Sequence, residues 1–258
     1  MKRILPLCAL TLLCLISCLS FSQMRLQRTF GEANDENAYT VEPLADGGYL
    51  LCGFTLSYGL TYSDYLVVRT APNGDTLWTK LYGGSGEEVS YTAQQTFDGG
   101  FIIGGYTDSY GAGLWDVFLV KTDGSGNVQW SKTYGGSGYE TASLIRQLPD
   151  SGFIVTGYTN SYGNGAYDGY LLRTDAGGNL LWSKTYGGGN WDWINVVEQT
   201  SDGNLILCGT SMSYGQGNME AWLLKTDLNG DTLWTRTYGK SGADDAYTLL
   251  QLPDSGFV

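Results

Sequence analysis

The sequence predicts an all-β protein, a β-propeller of four-stranded antiparallel blades with 52 residues per blade. Tryptophans, tyrosines and a Ser-Tyr-Gly triplet all recur at this interval without slippage. The recurring aromatic residues are Trp78, Trp130, Trp182 and Trp234, and Tyr82, Tyr134, Tyr186 and Tyr238. A fixed period of this size is typical of solenoids and propellers. Short runs of β-branched and aromatic residues between Gly, Asn and Asp indicate strands joined by turns.

The repeat of residues 135–186 shows how one unit is built. Its four predicted strands are short and rich in apolar or β-branched residues, and they are Ala142–Leu148, Phe153–Thr159, Tyr170–Thr174 and Leu180–Tyr186. Gly, Asn and Asp between them supply the turns. Four such strands per unit are typical of a propeller blade. The alternative is a β-solenoid, whose coils are usually shorter and contain fewer sharp turns.

The period also divides the chain. We predict a signal peptide over 1–22 and a propeller over 23–258. The predicted blades are equal in length and lie at about 31–82, 83–134, 135–186 and 187–238, with part of a fifth at 239–258. Because the sequence stops inside a second strand, we expect a chain truncated at its C-terminus, which would leave an open strand edge. Residues 25–30 align with the end of a fourth strand and are expected to complete the last blade.

The first residues have the composition of an export signal. Lys2 and Arg3 precede an apolar stretch, and Ser20-Phe21-Ser22 offers the small residues that a signal peptidase reads. We therefore expect an exported protein, secreted or associated with the outer membrane or cell surface. Leu15-Ile16-Ser17-Cys18 is similar to a lipobox, so a lipid anchor at Cys18 is an alternative, and an uncleaved anchor is another. No later segment has the length of a transmembrane helix.

The net charge of the chain restricts the class of partner that it can bind. Without Lys2 and Arg3 the chain keeps 12 basic and 26 acidic residues, a net charge of −14. Nucleic acid is excluded as a partner, since binding it needs clustered Lys and Arg.

Cys52 and Cys208 lie three repeats apart at equivalent positions. Such positions point away from each other, which predicts buried thiols in different blades and no disulfide.

Candidate catalytic and metal-binding residues are few. The chain has no histidine, which excludes Ser-His-Asp and Cys-His arrangements and histidine-containing zinc sites. Two carboxylate series recur: Glu36, Glu88, Glu140, Asp192 and Asp244, and Asp64, Asp116, Asp168 and Glu220. We expect them to accept main-chain N–H bonds where loops meet strands. Calcium binding by some of them and a glycosidase pair are the alternatives. We predict no cofactor.

Aromatic residues are the stronger indication of function. In a four-stranded blade the second-to-third and fourth-to-first connections emerge on one face, and here they are the longer loops. The candidate ligand-binding residues on these loops are Tyr58, Tyr110, Trp115, Tyr162, Trp191, Trp193 and Tyr214. They stack on sugar or peptide in one interpretation. In the other, the Ser-Tyr-Gly tyrosines pack between blades. The Trp78 series is expected to be core.

The repeats also carry a family resemblance, over about residues 25–258. Units such as residues 134–185 resemble the secreted propeller-type repeats of exported Bacteroidota and archaeal proteins. The spacing of Asp123, Gly126 and Trp130 is similar to quinoprotein-type propeller repeats with one residue fewer in the first gap, and Gly104-Gly105 resembles the kelch doublet. The resemblance implies a propeller fold and an exported protein, with no particular reaction. It also implies a type IX secretion sorting domain beyond Val258 if the source is a Bacteroidota member.

These observations predict a non-enzymatic, exported propeller. We expect a binding or structural module for glycan or protein at the cell surface, with several weak, equivalent sites that gain strength through multivalency. Two alternatives stay open. One is a propeller enzyme, either a quinone-dependent dehydrogenase or a carbohydrate-active enzyme, and the other is a spacer in a longer secreted protein.

Overall fold

The computed structural model describes residues 27–58, 60–216 and 218–258. The predicted signal peptide and Cys18 lie outside these ranges. The described chain is all-β, and its sixteen strands form four antiparallel four-stranded sheets, each in sequence order. None of the described residues forms a helix that is long and apolar enough to cross a membrane.

Each sheet contains four strands that follow one another in sequence. The strands are β1 (Glu36–Pro43), β2 (Tyr49–Thr55), β3 (Asp64–Thr70) and β4 (Thr76–Tyr82); β5 (Glu88–Gln95), β6 (Phe101–Thr107), β7 (Asp116–Thr122) and β8 (Val128–Tyr134); β9 (Glu140–Gln147), β10 (Phe153–Thr159), β11 (Asp168–Thr174) and β12 (Leu180–Tyr186); and β13 (Asp192–Gln199), β14 (Leu205–Ser211), β15 (Glu220–Thr226) and β16 (Thr232–Tyr238). We call the four sheets blades 1 to 4.

The predicted strands of the third repeat agree closely with the observed ones. β10 and β12 have the predicted bounds, whereas β9 and β11 each begin two residues earlier than predicted. The difference arises because Glu140 and Asp168, expected at loop-to-strand junctions, are buried and already paired in the sheet.

The sheets pack face to face as propeller blades. β1, β5, β9 and β13 contact one another in succession and are therefore the innermost strands. The fourth strands β4, β8, β12 and β16 lie outside, and in blades 2 to 4 they are the most exposed strands. In blade 1 the innermost strand β1 is more exposed than β4. Among the described residues the blades form an arc that is not closed into a ring. Residues 239–258 continue the arc, with Leu249 packed on Ile206 and Cys208 of blade 4.

Buried apolar residues of neighbouring blades make up the core. The Trp78 ring lies 5.8 Å from the Phe101 ring of the next blade in an edge-to-face arrangement, and Trp130 meets Phe153 at 5.9 Å. These tryptophans join the blades as expected, but they are only partly buried. The sequence predicts that these tryptophans are core residues. They pack against the core but are not fully buried, because they lie on the outermost strand, where one edge of the indole meets water.

The innermost strands contain a bulge that explains one glycine series. In blade 2 the bulge lies between Ser90 and Thr92, opposite Gly105. A Cβ on Gly105 would collide with the Val89 carbonyl oxygen, so only glycine fits. Gly53, Gly157 and Gly209 face the same obstacle in the other blades. Gly104, the other half of the doublet, occupies the place of Cys52 and Cys208.

Cys52 and Cys208 lie in β2 and β14, in different blades, as predicted. Both are buried free thiols. Burial raises the pKa of each thiol to about 12. At neutral pH they are therefore small apolar core groups.

Candidate functional site

The longer loops share one face of the arc, which we call the loop face. Trp115 and Tyr139 form a parallel bridge there, as do Tyr167 and Trp191. The Glu140 N–H donates to the Trp115 carbonyl at 2.9 Å. These bonds join the second-to-third loop of one blade to the first strand of the next. Aromatic side chains on the loop face are thus held by strand-like main chain.

The Ser-Tyr-Gly tyrosines hold the loops together. Their hydroxyls donate to glycine carbonyls 27 residues earlier, from Tyr110 to Gly83 at 3.0 Å, from Tyr162 to Gly135 at 2.8 Å and from Tyr214 to Gly187 at 2.6 Å. Each ring also packs on its own blade, as Tyr162 does on Tyr170 at 5.9 Å. Tyr58 occupies the same repeat position in blade 1. The hydrogen bonds favour the interpretation in which these tyrosines pack between blades. The four side chains are nevertheless 42–48% exposed.

The two carboxylate series meet at the blade junctions. Gly135 lies over Asp116 and Glu140, and a Cβ there would collide with an oxygen of each. Asp116 accepts the N–H groups of Ala112 and Gly113 at 3.0 Å, and Glu140 accepts Gly136 N–H at 2.7 Å. The prediction that these groups accept main-chain N–H bonds is confirmed for Asp116 and Glu140. The same pairing brings together Asp64 with Glu88 and Asp168 with Asp192.

Burial and mutual repulsion change the protonation of these pairs. Burial, with the neighbouring Glu88 second, raises the pKa of Asp64 to about 6. Burial likewise raises the pKa of Asp116 and of Asp168. Within the described ranges, no three or more His, Cys, Asp or Glu side chains converge as metal ligands do. At the junctions between blades 2 and 3 and between blades 3 and 4, both carboxylates of the pair accept main-chain N–H bonds, an arrangement that suits the stabilisation of loops better than the binding of a calcium ion. At the junction of blades 1 and 2, Glu88 accepts Gly84 N–H at 2.8 Å, and no described residue donates such a bond to Asp64.

A cleft opens on the loop face where blades 3 and 4 meet. Its volume is about 340 Å³, and its lining residues are neutral: Ser143, Tyr158, Tyr167, Trp191, Trp193 and Asn195. The Tyr158 and Tyr167 rings meet edge-to-face at 5.3 Å, and those of Tyr167 and Trp191 at 5.0 Å. Trp191 is 51% exposed. We call this feature the aromatic cleft. It unites two of the predicted ligand-binding residues, Trp191 and Trp193.

The cleft exists because two residues break the repeat. The position of Ser143 and Asn195 is tyrosine in the other units, at Tyr39, Tyr91 and Tyr247. Smaller side chains here leave space beside the innermost strands. Trp193 is also unlike its equivalents, which include Val89 and Thr141. The site is therefore a local departure from the scaffold, and comparison of the repeats position by position would have found it.

Tyr158 was not among the predicted site residues. It lies near the end of a buried strand, β10, where the sequence pattern predicts that an aromatic residue belongs to the core. Its side chain is only partly buried and lies next to Ser143 on the loop face. This partial burial raises the pKa of the Tyr158 phenol. The burial of Tyr167 raises the pKa of that phenol too. Both hydroxyls are thus neutral at physiological pH.

Trp115 takes a different position from Trp191 and Trp193. Its ring stacks on Tyr106 at 4.3 Å with an interplanar angle of 19°, and Tyr139 meets it edge-on at 5.0 Å. The Tyr106 hydroxyl donates to Glu87 at 2.6 Å. Trp115 is not one of the residues that line the aromatic cleft. Its faces are largely used by other aromatic rings.

A second cavity adjoins the aromatic cleft along the propeller axis. Its volume is about 360 Å³, and we call it the axial cavity. Residues of every innermost strand line it, together with Tyr158 of β10 and Tyr247 of residues 239–258: Thr40, Tyr91, Thr141, Ser143, Leu144, Tyr158, Asn195, Val196 and Tyr247. Ser143, Tyr158 and Asn195 belong to both cavities. We call these two adjoining cavities together the groove.

Of the known proteins compared with this chain, only solved structures are similar to it. No protein-family model matches the chain, and no curated protein sequence does. Among solved structures it is similar to the Pan2 WD40 domain of Neurospora crassa, with 13% identity over 78% of this chain and 66% of that chain and a TM-score of 0.47. It is also similar to the quinohemoprotein alcohol dehydrogenase of Comamonas testosteroni, with 15% identity over 85% of this chain and 39% of that chain and a TM-score of 0.48.

A third similar structure is the tail fiber of Staphylococcus aureus phage P68, with 12% identity over 87% of this chain and 44% of that chain and a TM-score of 0.36. The chain spans less than two thirds of the length of each of these three structures. Together, the four-stranded blades and their 52-residue repeat define a β-propeller repeat protein.

Proposed function

We propose that this protein is an exported, non-enzymatic propeller that binds a glycan or protein at the cell surface through the aromatic cleft. The observation that carries the proposal is the group of four aromatic side chains around a cleft at the place where Ser143 and Asn195 replace tyrosine. Concave sites lined by aromatic rings with a few polar groups are typical of ligand binding.

The chemistry of the cleft favours binding over turnover. None of its lining side chains is a carboxylate, an amine or a thiol. The carboxylate pairs lie elsewhere, buried at the blade junctions beneath glycine loops. A glycosidase needs two carboxyl groups flanking the scissile bond, and these pairs offer no open space between them. We therefore propose a binding role in preference to the dehydrogenase and carbohydrate-active alternatives.

Specialisation of one cleft changes the expected mode of binding. Equivalent weak sites in every blade would require similar residues at each junction. At the junction of blades 1 and 2, Ser63 stands in place of Tyr167 and Glu87 in place of Trp191. One principal site at blades 3 and 4 is therefore a better account than a ring of equal sites.

Export is supported by the sequence of residues 1–22. A basic start, an apolar stretch and small residues before Gln23 form the pattern of a cleaved signal. Lipidation at Cys18 would hold the propeller at a membrane surface, with the cleft available to polymers nearby. A role as a spacer alone would leave the specialised cleft without a purpose.

The experiment is a screen of the purified protein on a glycan array and a peptide array. Trp191→Ala and Trp193→Ala should each lower binding of the hits at least tenfold, because each removes a stacking surface. Tyr139→Ala is the matched control: it occupies the position of Trp191 one blade earlier, outside the cleft, and should leave binding unchanged. Equal loss in all three variants, or none, would refute the site. Release of reducing sugar or reduction of a quinone-linked dye would refute the non-enzymatic role.

A further inference from the structure

We infer that the ligand is an uncharged oligosaccharide of several sugar units, bound along the groove from the aromatic cleft into the axial cavity. This inference rests on the proposed function and adds the chemical class and length of the ligand.

The shape of the groove indicates length. Each cavity alone is at the small end of the range for ligand sites, about 300–1,000 Å³. Because Ser143, Tyr158 and Asn195 line both, the two cavities lie side by side, and a ligand of several units is long enough to contact both. A single sugar ring on Trp191 would leave the axial part empty, whereas an oligomer contacts both.

The polar groups of the groove match hydroxyl groups. Asn195 Nδ2 donates to the Ala246 carbonyl at 2.9 Å, which leaves its Oδ1 free to accept. Within the described ranges, the Ser143 hydroxyl and the indole N–H groups of Trp191 and Trp193 have no hydrogen-bond partner. Sugar hydroxyls both donate and accept, and the apolar faces of sugar rings stack on aromatic rings. The groove offers an acceptor, donors and stacking surfaces together.

The innermost strands are poorly suited to an extended peptide. A peptide that adds as a strand needs free main-chain groups on the sheet edge. On β9, the N–H groups of Ile145 and Gln147 already donate to Thr92 and Gln94 of blade 2, at 3.2 and 2.7 Å. These two N–H groups are therefore not free to pair with an added strand next to the groove, which favours glycan over peptide.

Charge further restricts the glycan. The chain carries a net charge of −12, and no lysine or arginine lines either cavity. An acidic sugar would lose hydration and find no counter-charge in the groove. We therefore expect neutral units.

The test is calorimetric titration of the full protein with defined oligomers. The probes are β-1,4-glucose, α-1,4-glucose and N-acetylglucosamine oligomers of one to six units, with oligogalacturonate and a proline-rich peptide as the other arms. We expect at least one neutral series to bind, with affinity rising at least tenfold from one unit to three or four and then levelling. Asn195→Ala should remove most of that increment, while Trp191→Ala should weaken every length.

Several results would overturn the inference. They are affinity independent of length, binding of oligogalacturonate as tight as that of the neutral oligomers, binding of the peptide alone, or no binding of any neutral series. The proposed function fails separately, if no array hit depends on Trp191 or Trp193. Both variants should still unfold cooperatively at a temperature well above that of the titration, which ties lost binding to the groove and not to misfolding.

Discussion

The Tyr82 hydroxyl donates a 2.8 Å hydrogen bond to the main-chain carbonyl of Gly126, in the third-to-fourth turn of the next blade. Tyr134 and Gly178 repeat this contact, as do Tyr186 and Gly230. The 52-residue tyrosine series therefore joins each blade to its successor through a side chain and a turn. Tyr238, at the end of the series, is 55% exposed.

Removal of one such hydroxyl should destabilise the protein measurably. Tyr82→Phe keeps the ring and leaves the Gly126 carbonyl without its donor, so we expect a loss of about 1 kcal/mol in the free energy of unfolding. Tyr238→Phe is the control and should change it by less than about 0.5 kcal/mol, as surface substitutions usually do. Urea denaturation measures both. Equal effects of the two substitutions would contradict the role of the bond.

The half-buried tryptophans should contribute less than fully buried ones. Trp182 packs on the cluster that contains Leu205 and Leu207 of blade 4, with one edge open to water. We expect Trp182→Ala to cost about 3 kcal/mol, the low end of the range for removing a large core aromatic. Trp191→Ala, at an exposed position, should cost about 1 kcal/mol or less. Denaturant unfolding that ranked them in the opposite order would show that Trp182 is not part of the blade interface.

The carboxylate pairs predict a dependence of stability on pH. The pKa of Asp64 is raised to about 6, chiefly by burial, so the folded chain binds more protons than the unfolded chain between about pH 4 and 6. The contribution of Asp64 to the free energy of unfolding is full below this window and is lost as pH rises through it. Asp64→Asn should flatten the decline, and an unchanged slope would contradict the raised pKa of Asp64.

Asp123 is a matched control because its pKa is shifted in the opposite direction from that of Asp64. Hydrogen bonds from Asn127 lower its pKa, so its contribution is present at neutral pH and is lost as pH falls below about 4. Asp123→Asn should lower stability above about pH 4 and remove this part of the loss below it. Unfolding by urea at a series of pH values measures both variants.

Much of the fold could be predicted from sequence because it repeats. Tyr82 and Trp78 recur at one interval, and Gly, Asn and Asp mark the turns, so strand number and order follow from local chemistry. The cleft could not be read in the same way. It depends on Ser143 and Asn195, which appear ordinary until their tyrosine equivalents are placed around one axis. The partners of Trp115 and Trp191 likewise depend on contacts between blades.

The most direct measurement of the central claim is binding by Ser143→Tyr. Tyrosine occupies this position at Tyr39, Tyr91 and Tyr247, so the blade should fold with the substituted ring filling the aromatic cleft and part of the axial cavity. For any glycan or protein that the array identifies, we expect affinity to fall at least tenfold by titration calorimetry, with thermal unfolding preserved. Undiminished affinity in a folded Ser143→Tyr protein would contradict the assignment of the site.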